Sequence, residues 1–304
     1  MIRRYGLFLL LAASSLAPAQ VFTLTREQMI KYTEKSPYER FPDGRPKVPD
    51  AVMKRFKDLS AEEVWGVLNQ NRYLNQWAGD FQITHPEKKL IGRAFTVQFM
   101  PRRADIADVN EVDAKAKGFR DNGNQRALDM LQPGDVLVVD LMGKIEGGTI
   151  AGDNLATYIH ETTGNGFVVN GAIRDLDGIF PIDMSVYYKG VHPTPISREL
   201  MITGINVPIH IGEATVMPGD VVFGDREGVY FVPTQFVKPI LDNADILHIH
   251  DEWTQEKFTH NNGKYKSSDI YGSPRSEELK KEYQEYLKKR LAEVKAQETK
   301  EGQQ

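Results

Sequence analysis

The chain has 304 residues, 40% of them hydrophobic and 26% charged, with a formal net charge of -4. That composition builds a sizeable core of one or two domains and excludes wholesale disorder, a fibrous protein and a multi-span membrane protein. Lys and Arg form no patch outside a mixed-charge C-terminal stretch, which argues against a nucleic-acid surface, and the absence of Cys removes disulfides and thiolate chemistry.

Residues 1–19 read as a secretory signal: Arg3 and Arg4, an apolar run from Leu7 to Ala13, then small residues ending at Ala19. The apolar run is too short to span a bilayer, so the expectation is an exported protein, periplasmic or secreted, with no stable membrane insertion after cleavage. Cleavage after Ala19 moves the formal charge from -4 to -6. With no disulfide available in an oxidising compartment, the fold is expected to rest on its core and on partner subunits.

Residues 20–88 read as a helical lead-in. Ser60 and Glu63 form a capping box before AEEVWGVLNQ, in which Val64, Leu68 and Trp65 suggest one apolar stripe. Trp65 and Trp77 read as packing residues, and the turn-rich run SPYERFPDGRPKVP at 36–49 as surface.

Beyond Lys89 the pattern turns to strands. LIGRAFTVQF at 90–99 is one, and LQPGDVLVVD at 131–140 places a Pro-Gly turn before a strand buried on both faces. A glycine-rich loop, EGGTIAG at 146–152, leads into a helix from Asp153 to about Gly164, followed by the strand FVVNG at 167–171. Strand, helix and strand at this spacing predict a βαβ unit with parallel strands and an α/β fold class. Hairpin turns follow within 207–233, where PGDV at 218–221 repeats the PGDV of 133–136; the plain reading is a good way to enter a strand. The tail, residues 261–304, carries an amphipathic helix with Leu279, Tyr283, Leu287, Leu291 and Val294 in a stripe that could cover its own subunit or a neighbour.

Polar residues converge in GDNLATYIHETTGNGFVVNGAIRDLDG, residues 152–178. Asp153 starts the helix and Arg174-Asp175 follows a strand's carboxyl end, so both fall on the sheet edge where ligands bind in parallel α/β units. The amides of Gly152, Asp153, Asn154 and Leu155 can cradle an anion with the helix dipole behind them. Arg174 offers a planar fork to a carboxylate or keto oxygen. Asp153 and Asp175 are hard oxygen ligands suited to a magnesium-type cation. Taken singly, Asp153 could be only a helix cap and Arg174-Asp175 only a surface turn.

The spacing Asp153, twenty residues, Arg174-Asp175 resembles the D-x20-R-D pattern of the 4-hydroxy-4-methyl-2-oxoglutarate aldolases within the wider RraA-like family. PGDVLVVD at 133–140, GFVVNGAIRD at 166–175 and PGDVVFGDREGVYFVP at 218–233 agree, and the resemblance covers roughly residues 55–260. It implies a swivelling-type β/β/α core at 89–260, assembled as a homotrimer or homohexamer with an acid supplied by a neighbouring subunit. By the same resemblance Arg174 binds the keto oxygen, Asp175 holds Mg2+ or Mn2+, Asp153 lies near metal-bound water, and the amides of Gly152 to Leu155 grip a carboxylate. The chain departs from its relatives in its export signal, both terminal extensions and the polar GDNL at the pocket.

The expected function is a class II, metal-dependent lyase that releases pyruvate from a 4-hydroxy-2-oxo acid. Arg174 and the metal would stabilise the enolate, and Asp153 would take the C4 hydroxyl proton. Oxaloacetate decarboxylation passes through the same enolate. The alternative is a non-catalytic RraA-like binding or regulatory protein. Lys144 is a weak candidate for imine chemistry, and His248 with His250 in HIHDE a weak one for zinc.

Overall fold

In the computed structural model, which describes residues 21–196 and 199–301, the lead-in forms helices α1 (Arg26–Tyr32), α2 (Asp50–Arg55) and α3 (Ala61–Gln70). The signal assigned to residues 1–19 lies outside the described residues. The expected capping box is present: Ser60 N–H donates to Glu63 Oε2 at 2.6 Å and Glu63 N–H to Ser60 Oγ at 3.3 Å. Val64 and Leu68 are buried, but Trp65 is 47% exposed, since it sits about 100° around the helix from Val64. Trp77 is 43% exposed and packs against Gly79 and Gly228, so neither tryptophan is a core residue.

The 36–49 segment is not simply surface. Arg45 and Val48 are buried. The Arg45 guanidinium lies 5.1 Å from the Phe41 ring centre and 5.3 Å from that of Phe95, and pairs with Asp43 at 2.8 Å and buried Asp135 at 3.3 Å. Stacking and pairing together satisfy a charge that composition alone assigns to water.

The strands are β1 (Trp77–Ala78), β2 (Gln82–Ile83), β3 (Leu90–Pro101), β4 (Asp135–Thr149), β5 (Phe167–Ile173) and β6 (Val186–Val191). They continue with β7 (Leu200–Ile205), β8 (Ile209–Ile211), β9 (Ala214–Val216), β10 (Val221–Asp225) and β11 (Gly228–Val232). One mixed sheet runs β1-β11-β10-β3-β4-β5-β6-β2, with β7 antiparallel to the far half of β3, and β8-β9 form a separate hairpin. β3, β4, β5 and β6 are mutually parallel, as the βαβ reading requires. Their crossovers carry α4 (Ala104–Ala116) and α5 (Asn124–Leu128), then α6 (Asp153–Thr163), then α7 (Leu176–Ile179). After β11 come α8 (Val237–Thr259), α9 (Ser267–Ile270) and α10 (Glu277–Glu301).

Alternation along the central strands makes a core on each face of the sheet. Leu137 and Val139 of β4 pack with Val169 and Ile173 of β5 and with Ala156 and Ile159 of α6. Val136, Val138 and Val168 point the other way, against Ile209, Ile211 and Val216 of the β8-β9 hairpin. Both PGDV segments are strand-entry turns clamped by their own acid: Asp135 Oδ2 accepts from Gln132 N–H at 3.1 Å, and Asp220 Oδ2 from Met217 N–H at 2.9 Å. The glycine-rich stretch is not a plain loop. β4 bulges out of the β5 register twice, between Asp140↔Asn170 and Lys144↔Gly171 and again before Thr149↔Ala172, with Met142, Gly143 and Gly147 taking positive φ to make the excursions.

The tail folds back on its own chain. Trp253 of α8 is 1% exposed beneath Ile270, Leu279 and Tyr283, and Arg290 pairs with Glu252 at 3.1 Å. Among the described residues no helix is long and apolar enough to cross a membrane.

Candidate functional site

The site is built where β4 and β5 end and their following helices begin. β5 closes at Ile173, and Arg174 N–H donates to Ala151 O at 3.1 Å, which draws the Arg174-Asp175 step against the start of α6. Asp175 is left-handed, with φ 57° and ψ 48°, and its carbonyl accepts from Gly178 at 3.0 Å and Ile179 at 3.1 Å to launch α7. Gly152 caps α6, and a Cβ there would collide with Asp175 Oδ2 and stand 3.0 Å from Arg174 Nε. A Cβ on Gly178 would stand 2.6 Å from Cβ of Asp153. Two glycines thus let Asp153, Arg174 and Asp175 share one corner.

Their partners refine the expected roles. Arg174 Nη1 donates to Thr149 Oγ1 at 3.0 Å, and Nε pairs with Asp175 Oδ2 at 3.2 Å. Among the described residues Nη2 has no hydrogen-bond acceptor. Asp153 Oδ1 accepts from Asn154 N–H at 2.7 Å and from Asn154 Nδ2 at 3.1 Å, so the Asn154 amide is already occupied. Helix geometry leaves the Asp153 and Leu155 amides without intrahelical acceptors. Beside them opens a cavity of about 460 Å³ that Asn154, Leu155 and Tyr158 share with Phe119, Arg120 and Gln125; Arg174 and Asp175 lie outside its lining.

The Mg2+ or Mn2+ expected on Asp175 is corrected. Among the described residues no group of three or more His, Cys, Asp or Glu gathers closely enough to hold a metal ion. The Asp175 carboxylate meets the Arg174 guanidinium, and Asp153 turns one oxygen to its neighbour. The zinc idea ends in the same way, because His248 pairs with Glu63 at 2.7 Å while the His250 ring lies against Tyr283. Lys144 is held by Glu199 at 2.9 Å. Thr149 is the site residue that sequence reasoning missed: its contact with Arg174 spans 25 positions, and a single Thr among glycines has no periodic signal.

A family model described as RraA-like, Aldolase/RraA, matches residues 51–231. The chain is 32% identical over 136 residues to a protein of Halalkalibacterium halodurans named "Putative 4-hydroxy-4-methyl-2-oxoglutarate aldolase", a match covering 45% of this chain and 64% of that one. It is 26% identical over 164 residues to Protein DlpA of Legionella pneumophila subsp. pneumophila, covering 54% of this chain and 25% of that one. The match therefore spans less than two thirds of either relative. Among solved structures, Streptomyces coelicolor RraAS2, titled an unusual member of the RNase ES inhibitor RraA protein family, aligns with a TM-score of 0.58 at 27% identity. That alignment covers 70% of this chain and 98% of RraAS2, and the mixed sheet with flanking helices matches its swivelling architecture. With more than half of its length inside the family model and this sheet order, the chain belongs to the RraA-like family.

Proposed function

We propose that the α6–α7 corner binds a small 2-oxo acid, with the carboxylate at the open amides of α6 and the keto oxygen facing Arg174. The observation that carries the reading is the Arg174 guanidinium, braced by Thr149 and Asp175 on the same sheet edge as the α6 N-terminus. A planar fork and a helix dipole together favour a planar anion over a neutral ligand. Binding needs nothing beyond these groups, so a binding or regulatory protein on the RraA-like scaffold is the leading reading.

Family membership and the aldolase name of the 32% identical relative favour a second reading, lyase turnover at the same corner. In a retro-aldol cleavage of a 4-hydroxy-2-oxo acid, the C3–C4 electron pair moves into a C2–C3 double bond and the C2 oxygen becomes negative. Arg174 would receive that charge. The unengaged Oδ2 of Asp153 would take the C4 hydroxyl proton as C4 becomes a carbonyl, and the enolate would be protonated at C3 to give pyruvate. Loss of carbon dioxide from oxaloacetate produces the same enolate. Asp175 acts in this scheme by orienting Arg174.

Calorimetric titration of the mature chain with pyruvate and with oxalate tests the binding reading. Measurable affinity for both, reduced by roughly tenfold or more in Arg174→Lys because an ammonium lacks the fork, is the expected result. No affinity for either would end it. Pyruvate release from a panel of 4-hydroxy-2-oxo acids and oxaloacetate separates turnover from binding alone. We also propose export directed by residues 1–19 and a homotrimeric or homohexameric assembly, the first checked by fractionation and N-terminal mass spectrometry.

A further inference from the structure

We propose that Thr149 is a positioning residue that fixes the direction of the Arg174 guanidinium by tying it to the main chain at Thr194. The inference rests on the 2-oxo acid reading for its consequence in binding, and its geometry stands apart from that reading. Thr149 is fully buried at the end of β4. Its Oγ1 accepts from Arg174 Nη1 at 3.0 Å and donates to the Thr194 carbonyl at 3.2 Å. A hydroxyl carries one hydrogen and two lone pairs, and a guanidinium can only donate. With the hydrogen used on Thr194, the lone pairs are what Arg174 meets, so the contact has a single polarity.

The backbone beneath the hydroxyl is equally constrained. Thr149 pairs with Ala172 of β5 and bridges to Pro195, so acceptor and guanidinium ride on adjacent strands. On the other edge of the guanidinium, Nε meets Asp175 Oδ2 at 3.2 Å. Two contacts at different nitrogens set the plane of a planar group, whereas one would leave it free to swing. Asp175 is half-exposed and its pairing competes with water, while Thr149 is sealed from solvent, so the Thr149 contact is the firmer of the two. Together they leave Nη2 without an acceptor among the described residues.

Thr149→Val keeps the shape and removes the acceptor; Thr149→Ser keeps the hydroxyl; Thr149→Ala replaces Val in the comparison if Val does not fold. The Arg174 Nε–H resonance, assigned by its loss in Arg174→Lys, reports the guanidinium directly. It is expected to shift or broaden in Val and Ala and to persist in Ser. Pyruvate and oxalate affinities are expected to fall about tenfold in Val or Ala and to stay within about threefold in Ser. An unchanged resonance in Val and Ala, or its loss in Ser, overturns the proposal. A resonance that moves in Val while the parent binds neither acid upholds the positioning role and removes the 2-oxo acid reading instead.

Discussion

Gly152 has no room for a side chain, because Asp175 Oδ2 and Arg174 Nε already occupy the space a Cβ would take. Gly152→Ala should therefore displace the Arg174-Asp175 pair while the rest of βαβ stays packed. The expected result is a loss of pyruvate affinity of at least about tenfold with a melting temperature within a few degrees of the parent. A variant that binds as the parent does would show that the corner tolerates a wider opening. Asp220 makes a prediction of another kind. Burial pushes its carboxyl up to about 7, with only the Met217 amide pulling the other way. Between about pH 4 and about pH 7 the folded state keeps a proton that the unfolded chain has released, so this group's contribution to stability falls as pH rises, by up to roughly 1.4 kcal/mol per unit. Urea unfolding of Asp220→Asn, in which the Asn carbonyl still accepts from Met217, should show a shallower decline over that window. Equal declines in parent and variant would remove Asp220 as the source.

At the scale of elements, α8 and α10 pose the question of what the extension beyond the family core contributes. Trp253 is enclosed by Ile270, Leu279 and Tyr283, none of which lies within residues 51–231. Trp253→Ala should cost about 3–5 kcal/mol in the packing of this tier. Ending the chain near Tyr271 should expose the same indole, shifting its emission to the red and leaving 2-oxo acid binding unchanged. A truncated chain that no longer binds would tie the tail to the site. The tail helix was legible from the stripe Leu279, Tyr283, Leu287, Leu291 and Val294, because helical period is written locally. What that stripe covers was not, since an apolar face carries no address. The same distinction runs through the site. Asp153, Arg174 and Asp175 could be brought together from one βαβ unit, whereas Thr149 and buried Arg45 depend on partners 25 and 90 positions away. The glycines of 146–152 read as a loop because they mark turns without revealing that β4 runs on to Thr149 and pairs with β5 there.

At the scale of the whole molecule, α4 turns its larger apolar side chains outward. Its inward face holds Asn110 and Asp113, each 5% exposed, beside the small Ala107 and Ala114, while Ile106, Val109 and Val112 are 38%, 41% and 70% exposed at three-residue spacing. The inward polar groups are satisfied: Asp113 pairs with Arg126 at 2.9 Å and Asn110 donates to Ile202 O at 3.4 Å. Phe22, 73% exposed, donates its N–H to Thr203 O one residue further on, and Met100, 43% exposed, is the penultimate residue of the strand that feeds α4. An outward apolar stripe of this kind is costly to leave in water and suits contact with another copy, as the proposed trimer or hexamer requires. It also lies near the open cavity beside α6, which Arg120 and Phe119 line from the α4–α5 connection. Sedimentation of the chain is expected to give three or six copies, and Val112→Lys, which places a charge in the contact without disturbing the Asp113–Arg126 pair, is expected to give single copies with an unchanged melting profile. If the parent sediments as a single copy, or Val112→Lys leaves the assembly intact, α4 is not the contact. If Val112→Lys separates the copies and pyruvate affinity falls with the assembly, the neighbour supplies part of the site; affinity unchanged in single copies would mean that the Thr149, Arg174 and α6 corner is complete within one chain.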